Sequence, residues 1–202
     1  MSVIEYFYAA HSAYAYIGSV RFMQIATAAG RTIEHRPIDL NRVVNASGSV
    51  PFSERSPGHR AYFFSRKMKR WSEQRGVSLM DHMPTHHGND IALANGLLIA
   101  GLVQGLNIDS LAYALLAAHW TEDADLADPA TLATITQQAG YAADPLLEAA
   151  TDKQILDIYA ANTEEAIERS VFGSPTYFVD GDMFYGQDRL EMVERALTRP
   201  YA

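Results

Sequence analysis

Strand-like periodicity is confined to the two ends of this 202-residue chain, and the long middle reads as helix. Val3-Ile4-Glu5-Tyr6-Phe7-Tyr8 is a short β-branched and aromatic run, the pattern of a central strand covered on both faces. From Ala13 to Ala29 only Ser19, Arg21, Gln24 and Thr27 are polar. The last three recur every third residue, which predicts a mostly buried helix with one narrow exposed stripe. Gly30 stands where a left-handed residue ends such a helix. Thr32 to Ile38 predicts a second strand. Strand, helix and strand in succession make a βαβ unit, whose crossover is right-handed.

The stretch from Asn41 to Pro57 has no periodicity and is rich in Ser, Asn, Gly and Pro, so it reads as a long loop. Four or more helices follow. The first, Arg60 to Arg75, is basic, carrying Arg60, Arg66, Lys67, Lys69, Arg70 and Arg75. Asn89 or Asp90 is placed to cap the helix that reaches Gly101, and Asp109 the one ending near Trp120. Asp128-Pro129 is an N-cap followed by proline at the first helical position, Gly140 closes that helix, and Asp144-Pro145 repeats the signal. Thr151 to Gln154 has the form of a capping box opening a helix to about Ser170.

After Gly173-Ser174-Pro175 the period returns to two. Thr176 to Val179 and Met183 to Tyr185 flank Asp180-Gly181-Asp182, a strong short hairpin signal. Pro175 cannot donate to a strand ladder, so it belongs at a strand end, where a cis bond is the expected device. Arg189 to Leu197 predicts a closing helix. The fold class is therefore α/β: a thioredoxin-like β-α-β…β-β-α domain, residues 1–45 and 171–202, with a large inserted all-helical domain, residues 46–170.

Composition narrows the chemistry. There is no cysteine, which excludes disulfides, thiolate nucleophiles and thiolate metal sites. A net charge of −8 argues against an extended nucleic-acid surface but leaves room for a local basic pocket. Ile91 to Leu106 is the most apolar long stretch. Asn95, Gln104 and glycines interrupt it, and it is too short to span a bilayer. Strand-like residues begin at Val3 without a charged-then-apolar leader, so a cytoplasmic location is the expectation.

The junction of the first strand and helix, Ala10 to Ile17, is the candidate site. Free N–H groups and the helix dipole favour an anion there, and Ser12 sits at that point. The plain alternative is that Ser12 is only an N-cap. His11 beside it reads first as a packed or solvated histidine. His82, His86 and His87 bring no cysteine and no carboxylate at helical ligand spacing, so no metal is expected. The cations of residues 66 to 75 read as a solvated helix face.

Phe172 to Gly181, followed by Phe184-Tyr185-Gly186-Gln187-Asp188-Arg189-Leu190-Glu191, resembles the cis-proline hairpin and Gly-x-Asp-Arg turn of the 2-hydroxychromene-2-carboxylate isomerases. These are DsbA-like thioredoxin-superfamily enzymes beside the kappa-class glutathione transferases. The resemblance covers nearly the whole chain. It departs at the first helix, where the family reads Ser-Pro-aromatic-Ser-Tyr and this chain reads Ser12-Ala13-Tyr14-Ala15-Tyr16, with His11 in place of an apolar residue.

The resemblance implies a glutathione-dependent isomerase, a small aromatic carboxylate substrate and a homodimer. It assigns Ser12 to the glutathione sulfur, and Ser174 before Pro175 to the cysteinyl backbone. Gln187 and Asp188 fall to the γ-glutamyl end, and Arg60, with His59 as competitor, to a further glutathione contact. His11, Tyr14 and His59 are candidates for the substrate pocket. A kappa-type transferase or peroxidase and a non-catalytic thioredoxin-fold binding protein remain as alternatives. The usual Cys-x-x-Cys position reads Ser12-Ala13-Tyr14-Ala15, which rules out thiol–disulfide exchange.

Overall fold

The computed structural model describes residues 3–51 and 54–202. Met1 and Ser2, and Phe52 and Ser53 within the expected loop, lie outside the described residues. A four-stranded mixed sheet has the order β2-β1-β3-β4. Strands β1 (Val3–Tyr8) and β2 (Thr32–Pro37) run parallel in register Val3 to Thr32 and Tyr8 to Pro37. Strand β3 (Thr176–Val179) lies antiparallel to β1, with Tyr6 opposite Tyr177, and β4 (Asp182–Tyr185) pairs antiparallel with β3. The hairpin turns at Asp180 and Gly181, both at positive φ, as an Asp-Gly two-residue loop requires. Pro37 ends an edge strand, where its missing N–H leaves no gap in a ladder.

Helix α1 (Ala13–Ala28) joins the parallel strands, and Gly30 at φ 61° closes it as the sequence predicts. Gly18 lets α1 pass close to the final turn: a Cβ there would meet Gln187 Cβ at 2.6 Å. The expected loop from Asn41 contains a two-turn helix, α2 (Leu40–Ala46). Its signal was Asp39, whose carboxylate accepts from Arg42 N at 3.1 Å and caps it; Val43 and Val44 are its buried face. The basic segment is α3 (Pro57–Ala61), a π-helical stretch Tyr62–Lys67, and α4 (Met68–Arg75).

The remaining helices are α5 (Ala92–Val103), α6 (Asp109–Thr121), α7 (Pro129–Gln138), α8 (Ala143–Ala149) and α9 (Lys153–Glu168). A 3-10 turn at Gln187–Arg189 leads into α10 (Leu190–Thr198). Four capping expectations change. The N-cap of α5 is Ile91 rather than Asn89 or Asp90, with Asp90 Oδ1 accepting from Ala92 N at 2.9 Å. Asp109 does not cap α6; Asn107 Oδ1 accepts from Asp109 N, while the Asp109 carboxylate takes His35 Nε2 at 2.8 Å. The capping box at Thr151 does not form: the N-cap of α9 is Asp152, one residue later, and it makes no side-chain cap bond. Asp144-Pro145 lies inside the first turn of α8, which starts at Ala143.

One apolar core joins sheet and insertion: Ile4, Tyr6 and Tyr177 belong to the same buried cluster as Leu97, Leu115 and Trp120. Gly96 is where α5 meets the C-terminal end of α8, since a Cβ there would stand 2.4 Å from the Ala150 carbonyl oxygen. The insertion meets the carboxyl ends of the parallel strands through Asn95 of α5, which bonds Ala10 and Ile38, on the side where α/β sheets place their ligand crevices.

Candidate active site

Strand β1 runs out at Tyr8, and the chain turns through Ala9 to His11 into α1. Ser12 is the N-cap, at φ −70° and ψ 119°. Its Oγ accepts from Ala15 N at 3.3 Å, so the plain capping role is real. Its hydroxyl hydrogen is directed at the Ser174 carbonyl oxygen across 3.4 Å, a long contact that a better acceptor in the crevice can replace. No acidic residue occupies the first turn of α1, which leaves its dipole without a compensating charge there. Ala9 N in turn donates to Ser174 Oγ at 3.2 Å, tying this loop to the hairpin. The Ser174–Pro175 bond is cis, as expected from the sequence.

Beneath the junction, Asn95 fixes the geometry. It is fully buried; its Oδ1 accepts from Ala10 N at 3.1 Å and its Nδ2 donates to Ile38 O and to the Tyr159 hydroxyl. One side chain of α5 thus holds the ends of β1 and β2 relative to the insertion.

Above Ser12 opens a cavity of about 1180 Å³. Of the residues the sequence singles out, Ser12, His11, Tyr14, Arg60 and Ser174 line it together. Tyr14 donates to Phe63 O at 2.8 Å and carries Lys67 Nζ 5.0 Å above its ring, which pins the π-helical stretch to the rim. Burial, and then the nearby Asp188 carboxylate, push the Tyr14 phenol above its ordinary range. Burial also raises Tyr185 on the cavity wall, with Arg55 opposing and Asp188 adding to that shift. Asp188 is not on the cavity wall; its carboxylate folds back over Gly186 and lies 3.5 Å from Arg189 Nη1.

Pro175, Gln187 and His59 are not on the cavity wall. Pro175 sits behind Ser174 at the start of β3. His59 lies on exposed α3, its ring 6.1 Å from that of Phe63. Gln187 is buried, with Oε1 held by Arg75 Nε and its backbone carbonyl by Arg75 Nη2, both at 3.0 Å. Arg75 also pairs with Glu191, so this member of the basic segment is a strut to the C-terminal helix, whereas Arg66, Lys69 and Arg70 are exposed. The Gln187 Nε2 is buried without a hydrogen bond.

A second wall contains His11, which the sequence offered as a pocket candidate, together with His87 and His119, whose part in it sequence reasoning missed. His87, from the loop before α5, places Nδ1 2.9 Å from Nε2 of His119 on α6, and His119 Nδ1 lies 2.9 Å from the Ala124 carbonyl oxygen. The His11 ring is 4.8 Å from that of His87. Trp120 donates from Nε1 to the His11 carbonyl at 2.9 Å. Burial, with the repulsion of neighbouring imidazoles, lowers His11 to about 3 and His87 to about 4. The sequence grouped His87 with His82 and His86. Those two instead pair with Asp81 and Asp125, and among the described residues no cluster of His, Asp or Glu is arranged to hold a metal ion.

The class follows from this combination of sheet order, cis-proline hairpin and helical insertion. The chain belongs to the family described as the DSBA-like thioredoxin domain, whose pattern it matches over residues 3–198. It is similar to 2-hydroxychromene-2-carboxylate isomerases. The Pseudomonas putida enzyme is 26% identical over 199 residues, covering 98% of this chain and 95% of the relative. The Sphingobium xenophagum enzyme is 27% identical, covering 96% of this chain and 97% of the relative. A solved structure of a 2-hydroxychromene-2-carboxylate isomerase superposes with a TM-score of 0.79 at 26% identity, covering 98% of this chain and 95% of that one.

Proposed function

We propose that the protein is a glutathione-dependent isomerase of 2-hydroxychromene-2-carboxylate or a close aromatic analogue, giving trans-o-hydroxybenzylidenepyruvate or its counterpart. The observation that carries the reading is the Ser12 hydroxyl at a helix N-terminus without an acidic residue in its first turn, on the wall of a cavity that Ser174 also lines. Glutathione bound there supplies a thiolate that adds reversibly to a conjugated double bond, so that the bond can turn.

The residues present suit that group. Ser12 has one hydrogen to donate to sulfur, since its contact with Ser174 O is long. The helix dipole adds roughly 0.3–1 kcal/mol for an anion. Together they lower a thiol from its ordinary ~8.5 by about one pKa unit. Ser174 at the strand end offers backbone to a peptide. Asp188 is an acceptor-only carboxylate suited to an ammonium, and Arg60 on the cavity wall suits a carboxylate of either ligand. A cavity of about 1180 Å³ exceeds the roughly 300–1,000 Å³ of ordinary ligand sites, which supports two occupants. A cytoplasmic setting, where glutathione is kept reduced, and a homodimer complete this reading.

Adding glutathione to the protein should produce thiolate absorbance near neutral pH and turnover of the chromene, with Ser12→Ala weakening both. Absence of glutathione binding at millimolar concentration overturns the proposal. A product that stays conjugated to glutathione would replace it with a kappa-type transferase.

A further inference from the structure

The histidine wall has a fixed hydrogen order. A carbonyl oxygen only accepts, so His119 Nδ1 carries the hydrogen that meets Ala124 O. Neutral His119 then presents a bare Nε2. His87 Nδ1 must donate to it, which leaves His87 Nε2 as a bare lone pair. His87 lines the cavity, and its Nε2 makes no hydrogen bond among the described residues. The imidazole is thus locked as an acceptor by two partners behind it.

Its surroundings select what it can accept from. The His11 and His119 rings lie 4.8 and 5.2 Å away and oppose a positive charge on His87. The Trp120 ring stands edge-on at 5.2 Å, and Ile91 and Ala92 add apolar lining to the cavity. An ammonium loses its hydration on such a wall without an opposite charge to meet it. A carboxylate has no hydrogen to give. A neutral hydroxyl has both the donor and the size.

We propose that His87 determines specificity by accepting, at Nε2, a hydrogen bond from a hydroxyl group of an aromatic substrate bound beside Ser12. This deepens the isomerase reading and rests on it for the substrate class. The hydroxyl is that of a phenol or of a ring-closed hemiketal, since both present a neutral O–H. The wall then discriminates as hydrogen-bonding sites do: an analogue lacking the hydrogen leaves a desolvated acceptor unmet.

The test is calorimetric binding of two ligand pairs, 2-hydroxycinnamate against 2-methoxycinnamate for the phenol and 2-hydroxychromane-2-carboxylate against its 2-methoxy ketal for the hemiketal. The unmodified protein should prefer the hydroxyl member of at least one pair by about tenfold, the worth of one neutral hydrogen bond. His87→Phe should abolish the preference and His87→Gln, which keeps an acceptor, should retain much of it. Nitrogen-15 NMR of the unmodified protein should show His87 protonated at Nδ1 and bare at Nε2 at neutral pH, a readout that needs no variant to fold. No preference in either pair, a preference untouched in His87→Phe, or the opposite tautomer overturns the proposal. A rise in the bound glutathione thiol pKa on His87→Phe also overturns it, because the nitrogen then serves the thiol. Loss of isomerase turnover with the hydroxyl preference intact counts against the isomerase reading alone.

Discussion

The two walls of the cavity are built on opposite electrostatic plans. At the Ser12 wall a hydroxyl, a helix N-terminus and nearby Arg60 all favour an anion. At the histidine wall burial lowers all three imidazoles, and His87 offers a lone pair. The first wall is made by local sequence, a strand running into a helix. The second is assembled from the turn before α1, the loop before α5, and α6, which are far apart in the chain. On the proposed reading, in which a thiolate and a hydroxylated acceptor bind together, the site gains from keeping these two environments separate.

The largest expected effect lies beneath both walls. Asn95→Leu leaves Ala10 N–H, Ile38 C=O and the Tyr159 hydroxyl without their partner and should lower stability by about 3 kcal/mol or more, read from denaturant midpoints at constant m. Ser12→Asn is the sharper probe of the anionic wall. Asparagine keeps the helix cap through Oδ1 and moves its remaining donor, Nδ2, off the hydroxyl position, so melting should change little, while turnover with glutathione should fall by up to roughly a hundredfold, the scale for losing one oriented donor.

The histidine wall is broken by pH. His11 and His87 titrate below the ordinary value of about 6.5, so between that value and about 4 the unfolded chain binds more protons than the folded one. Stability should therefore fall as pH falls through that window. His87→Phe should flatten the slope near pH 5 by about one proton, or ~1.4 kcal/mol per pH unit. If Ser12→Asn flattened it as well, the two walls would not be independent. The smallest effect is expected at the rim: Arg60→Met should raise KM up to about fivefold with kcat little changed, since partly exposed charge contacts contribute about 1 kcal/mol or less.

The fold was legible because its signals are local. The βαβ periods, the Asp180-Gly181 turn, Gly30 and Asp128-Pro129 each act within a few residues, and each stands where the pattern puts it. Helix α2 was hidden in a stretch without periodicity, although Asp39 carried its cap. Asp109 and Arg75 were misjudged for another reason. Asp109 has a cap-like position and Arg75 a place in a solvated-looking run, but His35 and Gln187, distant in sequence, claim them.

The sequence by itself determined a cysteine-free thioredoxin-type scaffold, a serine at its anion-favouring junction and a cis-proline hairpin beside it, because these follow from short-range backbone preferences and residue chemistry. Only the tertiary structure decided which side chains face the cavity. It turned Gln187 inward under Arg75, left His59 outside, and joined His11, His87 and His119 into one neutral wall. Those outcomes depend on long-range packing and on which buried polar group finds which partner, and no periodicity along the chain records either.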